Sequence, residues 1–248
     1  TCPHCAFTNA RGDQCDNCGR PLNGIELIDP VCTFCKNANS VPEVRQSEHY
    51  FLKLSALNQE LLDWVEAEGK DRWRANVYKF TQNFLAGGLH DRAITRDMEW
   101  GVPVPEAGWD RKRIYVWFEA CIGYLSATVE WCKTHGDNPD GWQDFWFQSR
   151  GARVYNFIGK DNIPFHTIIW PGMLMGYNHG LPEAERHNLA YDVPANEFLS
   201  LEGQQFSTSR NWAVWAPDYL DRYDPDPLRY LLTANMPESG DTDFSWRE

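Results

Sequence analysis

The chain has 248 residues, 42% hydrophobic and 14% aromatic with 12 tryptophans; that apolar content offsets ordering entropy and excludes disorder, and the length builds one large or two modest domains. Its 23 basic against 35 acidic side chains give a formal net charge of −12, which argues against a basic surface that coats nucleic acid, though not against a nucleic-acid substrate. No apolar run approaches the roughly 20 residues of a membrane span, so no membrane role is expected. The sequence opens at Thr1-Cys2, inside a cysteine motif, which predicts a missing beginning.

Six of the eight cysteines form three Cys-x-x-Cys pairs, Cys2/Cys5, Cys15/Cys18 and Cys32/Cys35. That spacing turns two thiolates toward one tetrahedral ion, and two pairs complete a zinc site. Gly12 and Gly19 suit knuckle turns. The competing reading is a disulfide framework, which the absence of cysteine pairing elsewhere and the enzyme-like remainder disfavour. The pairing is open: Cys15/Cys18 can join either Cys2/Cys5 or Cys32/Cys35, with the odd pair vacant or recruiting His4.

Next, Ser55 to Glu68 reads as a helix, with Leu57, Leu61, Trp64 and Val65 at helical spacing and Gly69 as its stop. Asp71 to Ala86 reads as another, striped by Trp73, Val77, Phe80 and Phe84; both stripes read as core. Gly101 to Pro105 is an extended connection, because its prolines exclude a helix. Arg113 to Phe118 is a β-rich run followed by a helical pattern from Ala120 to Lys133. Val154 to Ile158 is a second such run, ending at Gly159 before a helical pattern from Pro164 to Met175. This alternation predicts βαβ units and a parallel sheet, with ligands at the carboxyl ends of the strands. Pro217 to Tyr223 and Pro227 to Asn235 read as later helices. Cys121 and Cys132, in apolar surroundings, read as inert core thiols.

Two segments carry candidate chemistry. In Gly159-Lys160-Asp161-Asn162 the glycine admits a close ligand, the lysine can neutralise phosphate and the aspartate can bind a ribose hydroxyl. The P-loop spacing is absent, and the ordinary reading of His166 is a satisfied core group. Ser200 to Asn211 reads as a mobile loop whose hydroxyls, backbone N–H groups and Arg210 can cradle phosphate. Its bland alternative is a polar surface turn.

Taken in order, several blocks form one pattern: Cys-Pro-His-Cys at 2–5 with Gly12-Asp13-Gln14-Cys15-Asp16-Asn17-Cys18-Gly19, Ser47 to Phe51, and Ile94 to Asp97. Tyr115 to Ala120, Gly123-Tyr124, Phe157 to His166, Phe206 to Arg210 and Asp241 to Trp246 continue it. The pattern resembles the methionyl-tRNA synthetases, class I aminoacyl-tRNA synthetases, nearly end to end.

The resemblance implies an α/β fold: the second part of a Rossmann-type parallel sheet with a zinc-knuckle connective insertion. Residues 1–95 would be the insertion, with knuckles in 1–46. Residues 96–200 would be the second half of the catalytic domain, and 201–248 the signature loop with a helical stem-contact region. By the same resemblance Trp117, Ala120, Cys121, Tyr124 and His166 line a methionine pocket, where aromatic faces suit a thioether and His166 meets the sulfur or a pocket hydroxyl. Gly159, Lys160, Asp161, Gln205, Ser207 and Thr208 would bind ATP, and Arg96, Thr208 and Ser209 would be catalytic. Zinc from the set Cys2, Cys5, Cys15, Cys18, Cys32 and Cys35 would be structural, and Mg²⁺ would accompany ATP. The partners implied are L-methionine, ATP and tRNA(Met), and the place the cytoplasm.

The chain also departs from the family. It lacks the His-Ile-Gly-His motif and the anticodon-binding domain, and Gln205 and Thr208 stand where lysines are usual. Alone it is therefore expected to be inactive. The alternative is a synthetase-like protein that binds tRNA or an amino acid without aminoacylating; a free-standing zinc module is disfavoured by the sheet-forming second half.

Overall fold

A computed structural model describes residues 1–15, 17, 18, 20–32, 35, 40–208 and 211–247. Gly19, Ser209 and Arg210, which carried expectations above, lie outside the described residues. The chain divides into two compact units, Thr1–His49 and Tyr50–Glu248.

In the first unit, β1 (Asp13–Gln14) pairs antiparallel with β2 (Pro21–Leu22). Its small core is Cys2, Cys15 and Leu22, with Phe7, Ala10 and Leu27 packed on it. So few apolar groups bury too little area to hold a fold of this size without another cross-link.

The second unit starts from a helical hairpin. β3 (Phe51–Leu52) pairs antiparallel with β4 (Arg92–Ala93). Between them lie α1 (Asn58–Trp64), which runs into a π turn at Val65–Gly69, and α2 (Ala75–Ala86). The second helix starts four residues later than the stripe suggested. Trp73 falls before it, buried edge-on to Trp64 at 5.1 Å. Leu57, Leu61, Val65, Val77 and Leu85 form the main core with Ile163, Ile168, Met175, Ala190 and Val193. A Cβ on Gly172 would lie 2.9 Å from Leu54 Cδ1, so a glycine there permits the close approach. One buried polar pair crosses this core: Thr81 Oγ1 lies 2.9 Å from Thr167 Oγ1, whose hydroxyl donates to the Ile163 carbonyl at 2.8 Å. Both hydroxyls are thus satisfied.

β5 (Thr95–Asp97) pairs antiparallel with β6 (Lys112–Ile114). This corrects the reading of Arg113 to Phe118 as a strand of the parallel sheet. The run stops at Ile114 and turns into α3 (Val116–Glu119), then α4 (Ile122–His135). Strand propensity in Val and aromatic residues is a response to context, and here the local helical bonds Phe118 N–H to Tyr115 O and Ala120 N–H to Val116 O prevail. α5 (Gln143–Trp146) follows.

Parallel pairing does occur further on. β7 (Val154–Tyr155) pairs parallel with β9 (Ala190–Asp192), and β8 (Ile158–Gly159) with β10 (Ala195–Asn196). The crossover is a π turn at Phe165–Ile169 leading into α6 (Trp170–Asn178). The βαβ unit is thus built from the second apolar run and a later strand.

β11 (Leu199–Leu201) pairs antiparallel with β12 (Gln204–Gln205) and parallel with β13 (Thr242–Phe244). This corrects the loop reading of Ser200 to Asn211: its first half is a hairpin. Glu202 and Gly203, with φ of 48° and 73°, turn it in the primed sense that suits twisted strands. α7 (Ala216–Leu220) and α8 (Pro225–Ala234) follow, each with a proline in its first turn. Among the described residues no helix is long and apolar enough to cross a membrane.

Candidate functional site

The carboxyl end of β8 carries most of the second unit's candidate chemistry. After Gly159 the backbone makes a 3₁₀ turn, Lys160–Asn162, before the crossover helix. Asp161 folds back over the strand end, its Oδ1 lying 2.8 Å from where a Cβ on Gly159 would be. A glycine at 159 leaves that carboxylate room. Asn162 Nδ2 donates to the same oxygen at 3.2 Å.

His166, buried at 4% exposure, is fixed at both nitrogens. Nδ1 lies 3.0 Å from the Asn162 carbonyl, which can only accept, so Nδ1 carries the proton. Nε2 is then the acceptor and receives the Tyr124 hydroxyl at 2.8 Å. Burial lowers the imidazole pKa against the opposing pull of the Asn162 carbonyl, so the ring is neutral at pH 7. Trp117 lies 5.7 Å from the ring of Phe165, the residue before His166. Trp117 and Tyr124 are 50% and 45% exposed. The structure therefore joins Tyr124 to His166 directly and Trp117 to the neighbouring Phe165, with Trp117 and Tyr124 both about half-exposed. Two clefts lie elsewhere: about 520 Å³ beside Trp215 and Trp246, and about 620 Å³ beside Trp142 and Tyr177.

Cys121 turns inward instead. Its thiol is buried among Trp146, Trp170 and Leu174, and burial pushes its pKa up to about 11. Cys132 is buried as well, and both thiols match the inert reading. Ala120 follows α3 as its C-cap.

Lys160 was expected to face phosphate. Its ammonium donates to Glu197 Oε2 at 2.8 Å and Asp241 Oδ1 at 2.6 Å, and lies 4.4 Å from the Phe198 ring centre. Sequence reasoning misses Glu197 and gives Asp241, which opens the last block of the resemblance, no role; they lie 37 and 81 positions from the lysine, and no spacing signals such a contact. Arg96 stacks on Tyr115 at 3.9 Å and donates to the carbonyls of Ala93 and Thr95, each at 2.9 Å.

Gln205 lies in β12. Ser207 and Trp212 exchange backbone hydrogen bonds at 2.9 Å, bringing the two ends of the 208–211 loop together. Thr208 accepts from the Asn211 N–H at 3.1 Å, and Trp212 Nε1 ties the base to the Leu201 carbonyl at 3.1 Å.

In the first unit Cys2, Cys5, Cys15 and Cys18 place their sulfurs within 4.8 Å of one another. Cys2 to Cys18 is 4.0 Å and Cys5 to Cys15 is 3.7 Å. Four sulfurs about 2.3 Å from a central zinc would sit about 3.8 Å apart on a tetrahedron's edges, so this set fits such an ion. Backbone and side-chain N–H groups support it, from His4 to Cys2 at 3.4 Å and from Asn17 to Cys5 at 3.5 Å. Cys32 and Cys35 stay outside the cluster, with the Cys35 N–H donating to Cys32 Sγ at 3.2 Å. Of the two pairings left open by spacing, the first is the one assembled.

Comparison with known proteins follows the same lines. The family described as "tRNA synthetases class I (M)" matches residues 1–248. The chain is 59% identical over its whole length to the Methionine--tRNA ligase of Dehalococcoides mccartyi (strain CBDB1), covering 42% of it. It is 55% identical to that of Thermomicrobium roseum, covering all of this chain and 40% of the relative. Among solved structures, Mycobacterium tuberculosis methionyl-tRNA synthetase bound by methionyl-adenylate is similar, with TM-score 0.63 and 27% identity. That match covers 81% of this chain and 36% of the other. The chain thus spans about two fifths of the relatives it matches.

Proposed function

Since the chain belongs to the class I tRNA synthetases of the M type, we propose that its full-length protein is a methionine--tRNA ligase acting in the cytoplasm. It would activate L-methionine with ATP and transfer it to tRNA(Met). The observation that carries this reading is the Tyr124–His166 pair beside Trp117. The neutral imidazole and the hydroxyl satisfy each other, leaving aromatic surface and no unspent proton on the imidazole. A thioether suits such a floor through sulfur–aromatic contact. A side chain needing a strong donor would lose its water without replacement. Residues outside this chain would cover the open faces of Trp117 and Tyr124.

In the first step a methionine carboxylate oxygen bonds to the α-phosphorus of ATP as the bond to pyrophosphate breaks. In the second the tRNA ribose hydroxyl attacks the activated carbonyl and AMP leaves. Neither step needs a strong base, so the protein's part is alignment and charge. Gly159 and Asp161 would seat the adenosine, with Ser207, Thr208 and Ser209 at the phosphates and Arg96 bracing the strand behind them. With Gln205 and Thr208 in place of lysines, the loop offers hydroxyl and amide hydrogen bonds there. Mg²⁺ arriving with ATP would supply charge.

In this reading residues 96–200 belong to the second half of a Rossmann-type domain, residues 1–95 to the connective insertion and 201–248 to the signature loop and stem-contact region. Cys2, Cys5, Cys15 and Cys18 would hold one structural zinc, whose charge lets four thiolates share a small volume. The test is methionine-dependent pyrophosphate exchange by the full-length protein. Exchange is expected; none above background would favour a synthetase-like binding protein instead.

A further inference from the structure

Lys160 sits between the two residues that would seat adenosine, yet its ammonium is already occupied. An ammonium has three donors. Two go to Glu197 and Asp241, and the third side lies over the Phe198 ring. Both carboxylates are themselves anchored. Asn76 Nδ2, from α2, donates to Glu197 Oε1 at 2.8 Å, and the Phe198 N–H donates to Asp241 Oδ1 at 2.8 Å. One cation between two anions leaves a local charge of −1, which repels a phosphate. A phosphate contact would require Lys160 to abandon a carboxylate and leave Glu197, 16% exposed, without its counter-charge.

We infer that Lys160 is a positioning residue: it ties the turn after β8 to the residue following β10 and to the residue preceding β13, and makes no phosphate contact. This rests on the nucleotide reading above and refines it. The segments joined lie far apart in sequence, so the ion pairs hold Gly159 and Asp161 in register with the neighbouring strand. Burial works against the lysine's charge, but the two carboxylates outweigh it and raise its pKa, while Lys160 lowers that of Asp241.

The experiment measures adenosine, ATP and methionine affinity of the full-length protein by calorimetry, for the unaltered protein, Lys160→Met, Asp241→Asn and the double variant. Lys160→Met is expected to weaken adenosine and ATP by one common factor, about tenfold or more, as a misplaced site does. Methionine affinity should stay within about twofold, which a general loss of structure would not allow. Asp241→Asn should weaken both nucleosides too, and the double variant should be no worse than Lys160→Met, because both remove one interaction. Loss of ATP affinity with adenosine unchanged would overturn the inference, as would no change in either ligand or full additivity. If Lys160→Met does not fold, Asp241→Asn at a half-exposed acid carries the adenosine-against-ATP comparison alone. Failure of the unaltered protein to bind either nucleoside would instead remove the nucleotide reading, and this inference with it.

Discussion

Tyr124→Phe removes one oxygen from the second unit and isolates the bond on which the methionine reading depends. In the structure the Asn162 carbonyl holds the His166 proton on Nδ1, so Nε2 accepts from the Tyr124 hydroxyl at 2.8 Å. Without it a nitrogen of a 4%-exposed imidazole loses its donor. A buried acceptor left unmet costs about 1–3 kcal/mol. Tyr124 is 45% exposed, so water can enter from that side and recover part of the loss. Methionine covering that side would expel this water, so the recovered part is lost again on binding, about 1 kcal/mol, or about fivefold in affinity. The assay is equilibrium methionine binding to the full-length protein, with ATP binding as the internal control. A fall in methionine affinity with ATP affinity intact is expected. Unchanged methionine affinity, or an equal fall in both, would refute the reasoning.

Other expectations follow from the same geometry. About one zinc should be found per chain by metal analysis of reduced protein; Cys15→Ser should abolish it, while Cys32→Ser and Cys35→Ser leave it in place. Gly159→Ala should alter the melting temperature little, because its Cβ meets side-chain atoms of Asp161, the nearest at 2.8 Å, and no backbone. It should weaken adenosine binding by displacing that carboxylate. Burial depresses the His166 pKa below its ordinary 6.5, so between the two values the unfolded chain binds more protons than the folded one. Stability should accordingly be full above about pH 6.5 and fall as pH drops through the folded value, and His166→Gln should flatten that dependence in melting scans.

What the sequence disclosed and what it hid divide on physical lines. The two helices of the hairpin were legible because Leu61, Val65 and Val77 recur at helical spacing and are fully buried. The cysteine pairs were legible as chelating turns, but not their partners, since either combination has workable spacing. Trp117 was read at the end of a strand because Tyr115 to Phe118 is rich in strand formers; helical bonds local to that segment decided otherwise. The hairpin at Glu202-Gly203 was missed because it lacks the Asn-Gly or Asp-Gly turn that announces one. The resemblance points to both His166 and Tyr124 and has the imidazole meet either the sulfur or a pocket hydroxyl; in the structure it is bonded to the Tyr124 hydroxyl. The clamp on Lys160 was illegible, since contacts across such distances in sequence exist only once β10 and β13 are in place.

A structure of the full-length protein with a non-hydrolysable methionyl-adenylate analogue would show where the thioether and the adenosine sit. The thioether is expected against Trp117 and Tyr124, the ribose hydroxyls on Asp161, and Lys160 still bonded to Glu197 and Asp241. A thioether bound away from the Tyr124–His166 pair, or adenosine away from the β8 turn, would contradict that placement.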